Sequence, residues 1–172
     1  MNKLLKVLLL LLLIFMAGCS SQVTRPEKAE AMHPVIKAIL GFTVEISPDA
    51  KLQVADDVNF DMKKLRSNLD RILNEKNLVA PNGDYRLKVV VKDIRVRSTV
   101  SAVMLGFLAG NDHLRGEAIV LNLDDEVVYT FEASASYALG GFGGGQDASR
   151  MNWLYEEFSE MIANELTLKR QQ

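Results

Sequence analysis

Val-Val-Tyr-Thr-Phe-Glu-Ala-Ser-Ala-Ser-Tyr, residues 127–137, is a run in which apolar and polar side chains alternate. Side chains on a β-strand point to opposite faces in turn, so this period of two predicts a strand with one buried face. A second strand-like run occupies residues 113–123, and Asp124 and Asp125 lie between the two runs. Two strands joined by a short polar turn are typical of an antiparallel hairpin.

Two helices are predicted from stripes of apolar residues at helical spacing. The stripe beyond the hairpin consists of Met151, Leu154, Tyr155, Phe158, Met161, Ile162 and Leu166. The stripe before it consists of Met62, Leu65, Leu69, Ile72 and Leu73. For this earlier helix, Asn59 or Asp61 is suited to cap the start, and Asn77 is suited to the left-handed residue after the end.

Further extended segments precede the hairpin. Residues 35–46 are apolar-rich and partly alternating, and Leu52 and Val54 are predicted to form a short edge strand. A long strand starts at Tyr85, and its apolar phase changes near Lys92. A phase change within one strand predicts a β-bulge.

These elements occur in the order β-α-β-β-β-α over residues 35–172. The order predicts a single α+β domain, with an antiparallel-rich sheet and both helices packed on one face.

The N-terminus predicts export and lipidation. Two lysines precede the apolar run 8–15, which is too short to span a bilayer as a stable helix. Gly18 and Cys19 follow, and this arrangement resembles the lipobox of bacterial lipoproteins. The resemblance implies that residues 1–18 are a signal peptide cleaved between Gly18 and Cys19. The Cys19 thiol would then carry a diacylglycerol and its freed amine an acyl chain such as palmitate. A lone cysteine in an ordinary signal peptide and a transmembrane anchor are the alternatives.

The same resemblance implies an outer-membrane anchor with the domain facing the periplasm, because no aspartate follows Cys19. Residues 19–34 lack an apolar period and are predicted to be a lipidated tether that reaches about 50 Å if extended. Loss of two signal-peptide lysines changes the net charge from −2 to −4. A mildly acidic domain lacks the basic field of nucleic-acid-binding proteins, so we expect no nucleic-acid partner.

Two glycine-containing segments, residues 103–110 and 140–145, occur together with the hairpin and the closing helix. With the lipobox, they resemble bacterial lipoproteins of the domain-of-unknown-function 4410 family, over a similarity running from about Phe42 to Leu166. The resemblance implies a fold class and a location in the cell envelope, and it implies no catalytic residues.

The glycine loop and the apolar segment 100–110 are the candidate interaction surfaces. The loop resembles a dinucleotide-binding fingerprint, but an amphipathic strand precedes it and no strand follows, which favours a flexible connection. Phe142 in this loop is the alternative docking residue. The segment containing Phe107 and Leu108 is predicted either to cover the open end of the core or to meet a subunit or lipid.

The remaining polar residues suggest no catalytic or metal site. Asp93, Arg95 and Arg97 could bind an anion, but charged alternation on the wet face of a strand explains them as well. His33 and His113 are far apart along the chain with no free cysteine, so zinc spacing is absent. No nucleophile, base and orienting group occur in a defensible order, so we expect neither an enzyme nor a cofactor.

The first functional hypothesis is therefore a non-enzymatic envelope lipoprotein that acts through protein contacts. It would be an oligomer or an accessory of an envelope or secretion assembly. The alternative is a periplasmic module that binds a glycan or lipid fragment beside Phe107 and Phe142.

Overall fold

The computed structural model describes residues 20–26, 36–56, 60–97, 111–137 and 147–168. Their elements in chain order are β1 (Ser20–Thr24), β2 (Ile39–Ile46), α1 (Pro48–Asp56), α2 (Met62–Glu75), β3 (Tyr85–Arg95), β4 (Asp112–Asn122), β5 (Val127–Tyr137) and α3 (Asp147–Thr167). The predicted α+β class is confirmed. The order is β-β-α-α-β-β-β-α, because one strand and one helix are added to the predicted set.

The strands form one mixed sheet in the order β1-β5-β4-β3-β2. Every neighbouring pair is antiparallel except β2 and β3, which run parallel. Parallel neighbours need a crossover connection, and α1 and α2 lie within it. The predicted hairpin is confirmed as β4 and β5, and Asp125 in its turn has a positive φ of 64°.

The predicted bulge in the long strand is confirmed. The pairing of β3 with β4 shifts register between Val91 and Asp93. One extra residue at this point brings Ile94 back to the same face as Val89 and Val91, and all three side chains are buried.

Both ends of α2 are confirmed at the predicted residues. The Asp61 carboxylate accepts hydrogen bonds from the backbone N–H of Lys63 (2.9 Å) and Lys64 (3.3 Å). After the helix, Asn77 has a φ of 56°, and the N–H of Leu78 donates to the carbonyl of Leu73 at 2.8 Å. Local chemistry therefore sets the length of this helix.

The predicted edge strand at Leu52 and Val54 is wrong, because these residues belong to α1. Proline is tolerated in the first turn of a helix, so Pro48 begins a helix as well as ending β2. The Ser47 hydroxyl accepts a hydrogen bond from the N–H of Ala50 at 3.2 Å and stabilises that first turn. Leu52 is 73% exposed, so the segment lacks the buried apolar stripe that would predict a helix from the sequence.

The tether prediction is wrong for residues 20–24, which form the edge strand β1. Each of them pairs with β5, from Ser20 opposite Ser136 to Thr24 opposite Glu132. Four of the five side chains are exposed, so the segment has no apolar alternation to read. Main-chain pairing with the neighbouring strand β5 makes this segment a strand.

α2 and α3 pack together over one face of the sheet and enclose the core, whereas α1 lies beside β3. Every residue of the predicted α3 stripe is buried, and α3 packs against α2 and against β5, β4 and β1. Gly116 in β4 permits this contact, since a Cβ there would meet the Phe158 ring at 2.8 Å. Among the described residues, no helix is long and apolar enough to cross a membrane.

Candidate functional site at one end of the sheet

Four strands present one row of polar side chains where β1 begins. Ser20 pairs with Ser136, Ser136 with His113, and His113 with Arg95. These four residues, which we call the Ser20 row, lie on the sheet face away from the helices, the open face. Neighbouring strands lie about 4.8 Å apart, so the row is about 14 Å wide.

A buried ionic cluster lies behind the Ser20 row. The Asp112 carboxylate accepts from Arg97 Nε (3.1 Å), Arg97 Nη2 (3.2 Å), the Arg97 backbone N–H (2.7 Å) and Arg150 Nε (2.7 Å). Asp112 is 0% exposed, Arg97 4% and Arg150 1%. The cluster joins the segment after β3, the start of β4 and the first turn of α3.

Backbone carbonyls complete this cluster. Arg150 Nη2 donates to the carbonyl of Arg97 at 2.7 Å, and Arg97 Nη2 donates to the carbonyl of Tyr137 at 3.4 Å. Since Tyr137 ends β5, the cluster holds three strands and a helix together. Buried charges are tolerated only when paired and hydrogen-bonded, and Asp112 supplies the pairing for both arginines.

The wet-face interpretation of Asp93, Arg95 and Arg97 holds for two of the three residues. Arg95 is exposed, and Asp93 lies 2.9 Å from Nε2 of the partly exposed His113. Arg97 lies two residues after β3 ends, and there its side chain turns inward to Asp112. Asp112, which pairs with Arg97, lies 15 residues further along the chain, so the alternation of side chains along β3 does not predict that Arg97 is buried.

A second buried group fixes β1 to α3. The Glu165 carboxylate accepts from Arg25 Nε (2.6 Å), Arg25 Nη2 (2.5 Å) and the Tyr129 hydroxyl (2.5 Å). The Glu165 side chain is 1% exposed. Hydrogen bonding to Glu165 raises the pKa of Arg25, and burial, followed by the bond to Glu165, raises the pKa of Tyr129. We call these three residues the β1 clamp.

The opposite end of the sheet, the hairpin end, exposes apolar side chains beside the polar turn residues 124–126. Leu40 is 43% exposed, Leu123 50% and Val127 63%. A depression of about 330 Å³ lies at this end, and its lining includes Leu40, Phe42, Arg86, Lys88 and Leu121. Arg86 bonds to Asp125, and Lys88 Nζ lies 2.9 Å from Glu45 Oε2, so both cations have partners.

The predicted site residues Gly18, Cys19, Phe107, Leu108 and Phe142 all lie outside the described residues. The structure nevertheless brings the flanks of their segments together. Cys19 directly precedes the first residue of β1. The other two segments leave from Arg97 and Tyr137 and return at Asn111 and Asp147, all at the Ser20 end.

Sequence reasoning missed Arg150 and Glu165, although a signal was present. Both residues fall within the apolar stripe of α3, four residues before Leu154 and four after Met161. A charged residue at a core position of a helix indicates a buried partner. In the part of the chain that the structure describes, no three His, Cys, Asp or Glu side chains gather as a metal site.

The fold is a two-layer α+β domain with a mixed five-stranded sheet, and the candidate site lies at the Ser20 end of that sheet. The family model for the domain of unknown function 4410 matches residues 28–141. The chain therefore belongs to the DUF4410 family, as the sequence resemblance predicted. The matched residues include β2 to β5 and exclude Cys19 and α3. Comparison with curated proteins finds no match.

Several solved structures are similar to this chain. The PelC dodecamer from Paraburkholderia phytofirmans is 12% identical, with a TM-score of 0.45, and the match covers 88% of this chain and 99% of that one. A minor lipoprotein from Acinetobacter baumannii is 12% identical with a TM-score of 0.39, covering 74% and 92%. A DUF330 protein from Xanthomonas campestris is 14% identical with a TM-score of 0.42, covering 86% and 89%. Likeness at this level carries no conclusion about activity or assembly.

Proposed function

We propose that this protein is a non-enzymatic lipoprotein of the bacterial envelope, anchored to the outer membrane by acyl chains on Cys19. Its domain faces the periplasm and acts through protein contacts. The observation that carries the proposal is the position of β1. The first described strand begins at Ser20, the residue after Cys19, so processing before Cys19 would leave every described strand intact.

The sequence before β1 supports the anchor. Its cationic start, its short apolar run and the small residues before Cys19 are the parts of a lipoprotein signal peptide. A thioether-linked diacylglycerol together with an N-acyl chain holds a protein firmly, whereas one chain holds it marginally.

The hairpin end supports action through protein contacts. Leu40, Leu123 and Val127 are exposed at this same end of the sheet, and exposed apolar groups gathered in one region are typical of protein interfaces. A partner protein or a second copy of this chain would cover them.

The anchor is tested by Cys19→Ser in the full-length chain. We expect loss of fatty-acid labelling, loss of processing and release from the outer-membrane fraction. Ser21→Ala is the matched control, because it changes a nearby polar residue and should keep labelling and fractionation. Normal labelling of the Cys19→Ser chain would reject the anchor.

The apolar depression at the hairpin end favours a second candidate, a binding module for a lipid or glycan fragment. The pocket predicted beside Phe107 and Phe142 lies outside the described residues. We expect such a fragment to raise the melting temperature of the wild type, and Leu121→Trp, which fills the depression, to abolish the shift. An unchanged melting temperature across a panel of envelope lipids and glycans would reject this candidate.

A further inference from the structure

We infer that the domain sits directly on the phospholipid surface, with the Ser20 row facing the headgroups and the hairpin end pointing away. This inference rests on the lipid anchor proposed above and adds an orientation to it. A tether of about 15 residues would leave the domain free to turn over about 50 Å, whereas a direct attachment does not.

The first argument is covalent. One peptide bond joins Cys19 to Ser20, and consecutive Cα atoms lie about 3.8 Å apart across a trans peptide. Ser20 is already paired with Ser136. The acylated residue is therefore within a few ångströms of the end of the sheet, and no flexible linker separates the lipid from the domain.

The second argument is that β1 is firmly held. All five of its residues pair with β5, and Arg25, the next residue, bonds to Glu165 of α3. Peeling β1 away would leave the buried Glu165 carboxylate without its cation, which is costly. The anchor is thus attached to a fixed strand of the domain.

The third argument is the chemistry of the surface. Arg95 and Arg115 are exposed on the open face at this end, which also carries Asp93, bonded to His113, and, farther along β4 and β5, Glu117 and Glu132. Exposed arginines are attracted to anionic phospholipids. The exposed apolar side chains of the hairpin end lie about 35 Å away along β5.

The experiment uses the processed lipoprotein reconstituted in vesicles. Because acylation occupies the only native thiol, an introduced cysteine is the single labelling site. Ser136→Cys places a fluorophore in the Ser20 row, and Leu123→Cys is the matched position at the hairpin end. With a nitroxide on the lipid headgroup, we expect several-fold stronger quenching at residue 136 than at residue 123. Equal quenching at the two positions would overturn the inference.

Two further variants test the causes separately. A flexible linker of about ten residues that begins with serine, inserted between Cys19 and Ser20, should keep the protein on vesicles and remove the quenching contrast. Arg115→Glu should reduce quenching at residue 136 in vesicles containing phosphatidylglycerol and not in purely zwitterionic vesicles. An undiminished contrast with the linker, or no effect of Arg115→Glu, counts against the orientation.

Failure of the anchor and failure of the orientation give different readings. Fatty-acid labelling and flotation of the same preparation report the anchor. A labelled, floating protein with equal quenching at both positions keeps the proposed function and overturns only the orientation. An unlabelled protein overturns both.

Discussion

The two ends of the sheet are built from the same strands but hold different chemistry. At the Ser20 end, Asp112 pairs with Arg97 and Arg150, all three side chains are buried, and the exposed row is polar. At the hairpin end, the exposed groups include Leu123 and Val127. Identical surroundings at both ends of the sheet would not require this difference in exposed side chains. The end that we propose as the attachment and the end that we propose as the contact surface therefore differ in their exposed side chains.

The largest expected effect comes from breaking the ionic cluster at the Ser20 end. Asp112→Asn removes the carboxylate that two buried arginines share and should lower the free energy of unfolding by about 3–5 kcal/mol, measured by urea denaturation. Asp93→Asn is the control, because its partner His113 is partly exposed, and we expect a loss below about 1 kcal/mol. Similar losses for both variants would mean that the cluster does not hold this end.

A smaller effect is expected at the β1 clamp. Glu165→Gln removes the ion pair with Arg25 and should cost about 1–3 kcal/mol, with faster amide exchange in β1 than in β4. Glu160→Gln is the control on the same helix, since its pair with Lys76 at 3.1 Å is partly exposed. Unchanged exchange in β1 would show that strand pairing alone secures it.

The clamp also predicts a pH dependence. Burial and the bond to Glu165 raise the pKa of Tyr129, so the folded protein keeps this proton at pH values where the unfolded chain has lost it. Stability from Tyr129 is therefore complete below its ordinary pKa of about 10 and declines as the pH rises further. Denaturation between about pH 9 and 11 should show a steeper decline for the wild type than for Tyr129→Phe. Identical slopes would contradict the prediction.

The smallest effect on stability is expected at the hairpin end, where the consequence is for association. Val127→Lys should change the free energy of unfolding by less than about 0.5 kcal/mol, since the side chain is 63% exposed. It should reduce self-association or partner recovery, measured by light scattering and crosslinking in cells. Leu52→Lys, 73% exposed on α1, is the control. An equal reduction in both variants would remove the distinction between the ends.

Local signals explain which elements could be predicted. The limits of α2, the bulge at Val91 and the turn at Asp125 each depend on residues within a few positions, so the chain itself specifies them. The α3 stripe was equally plain, because seven apolar residues recur at helical spacing. The family was also predictable from the glycine segments and the hairpin.

Non-local contacts explain what was missed. β1 is polar and is a strand only because β5 lies beside it, and α1 begins where a proline can end a strand or start a helix. Alternation along β3 predicts that Arg97 is exposed. The bulge, the end of β3 at Arg95 and the position of Asp112 together turn its side chain inward. No window of neighbouring residues contains that information.

By itself, the sequence determined the class of the domain and most of its elements, because periodicity and caps depend on adjacent residues. The anchoring residue that we propose also comes from the sequence alone. Only the tertiary structure decided that the segment starting at Ser20 forms an edge strand of the sheet and that Asp112 pairs with two buried arginines. Both depend on partners 15 to more than 100 positions away. Pairing over such separations is fixed by the packed fold.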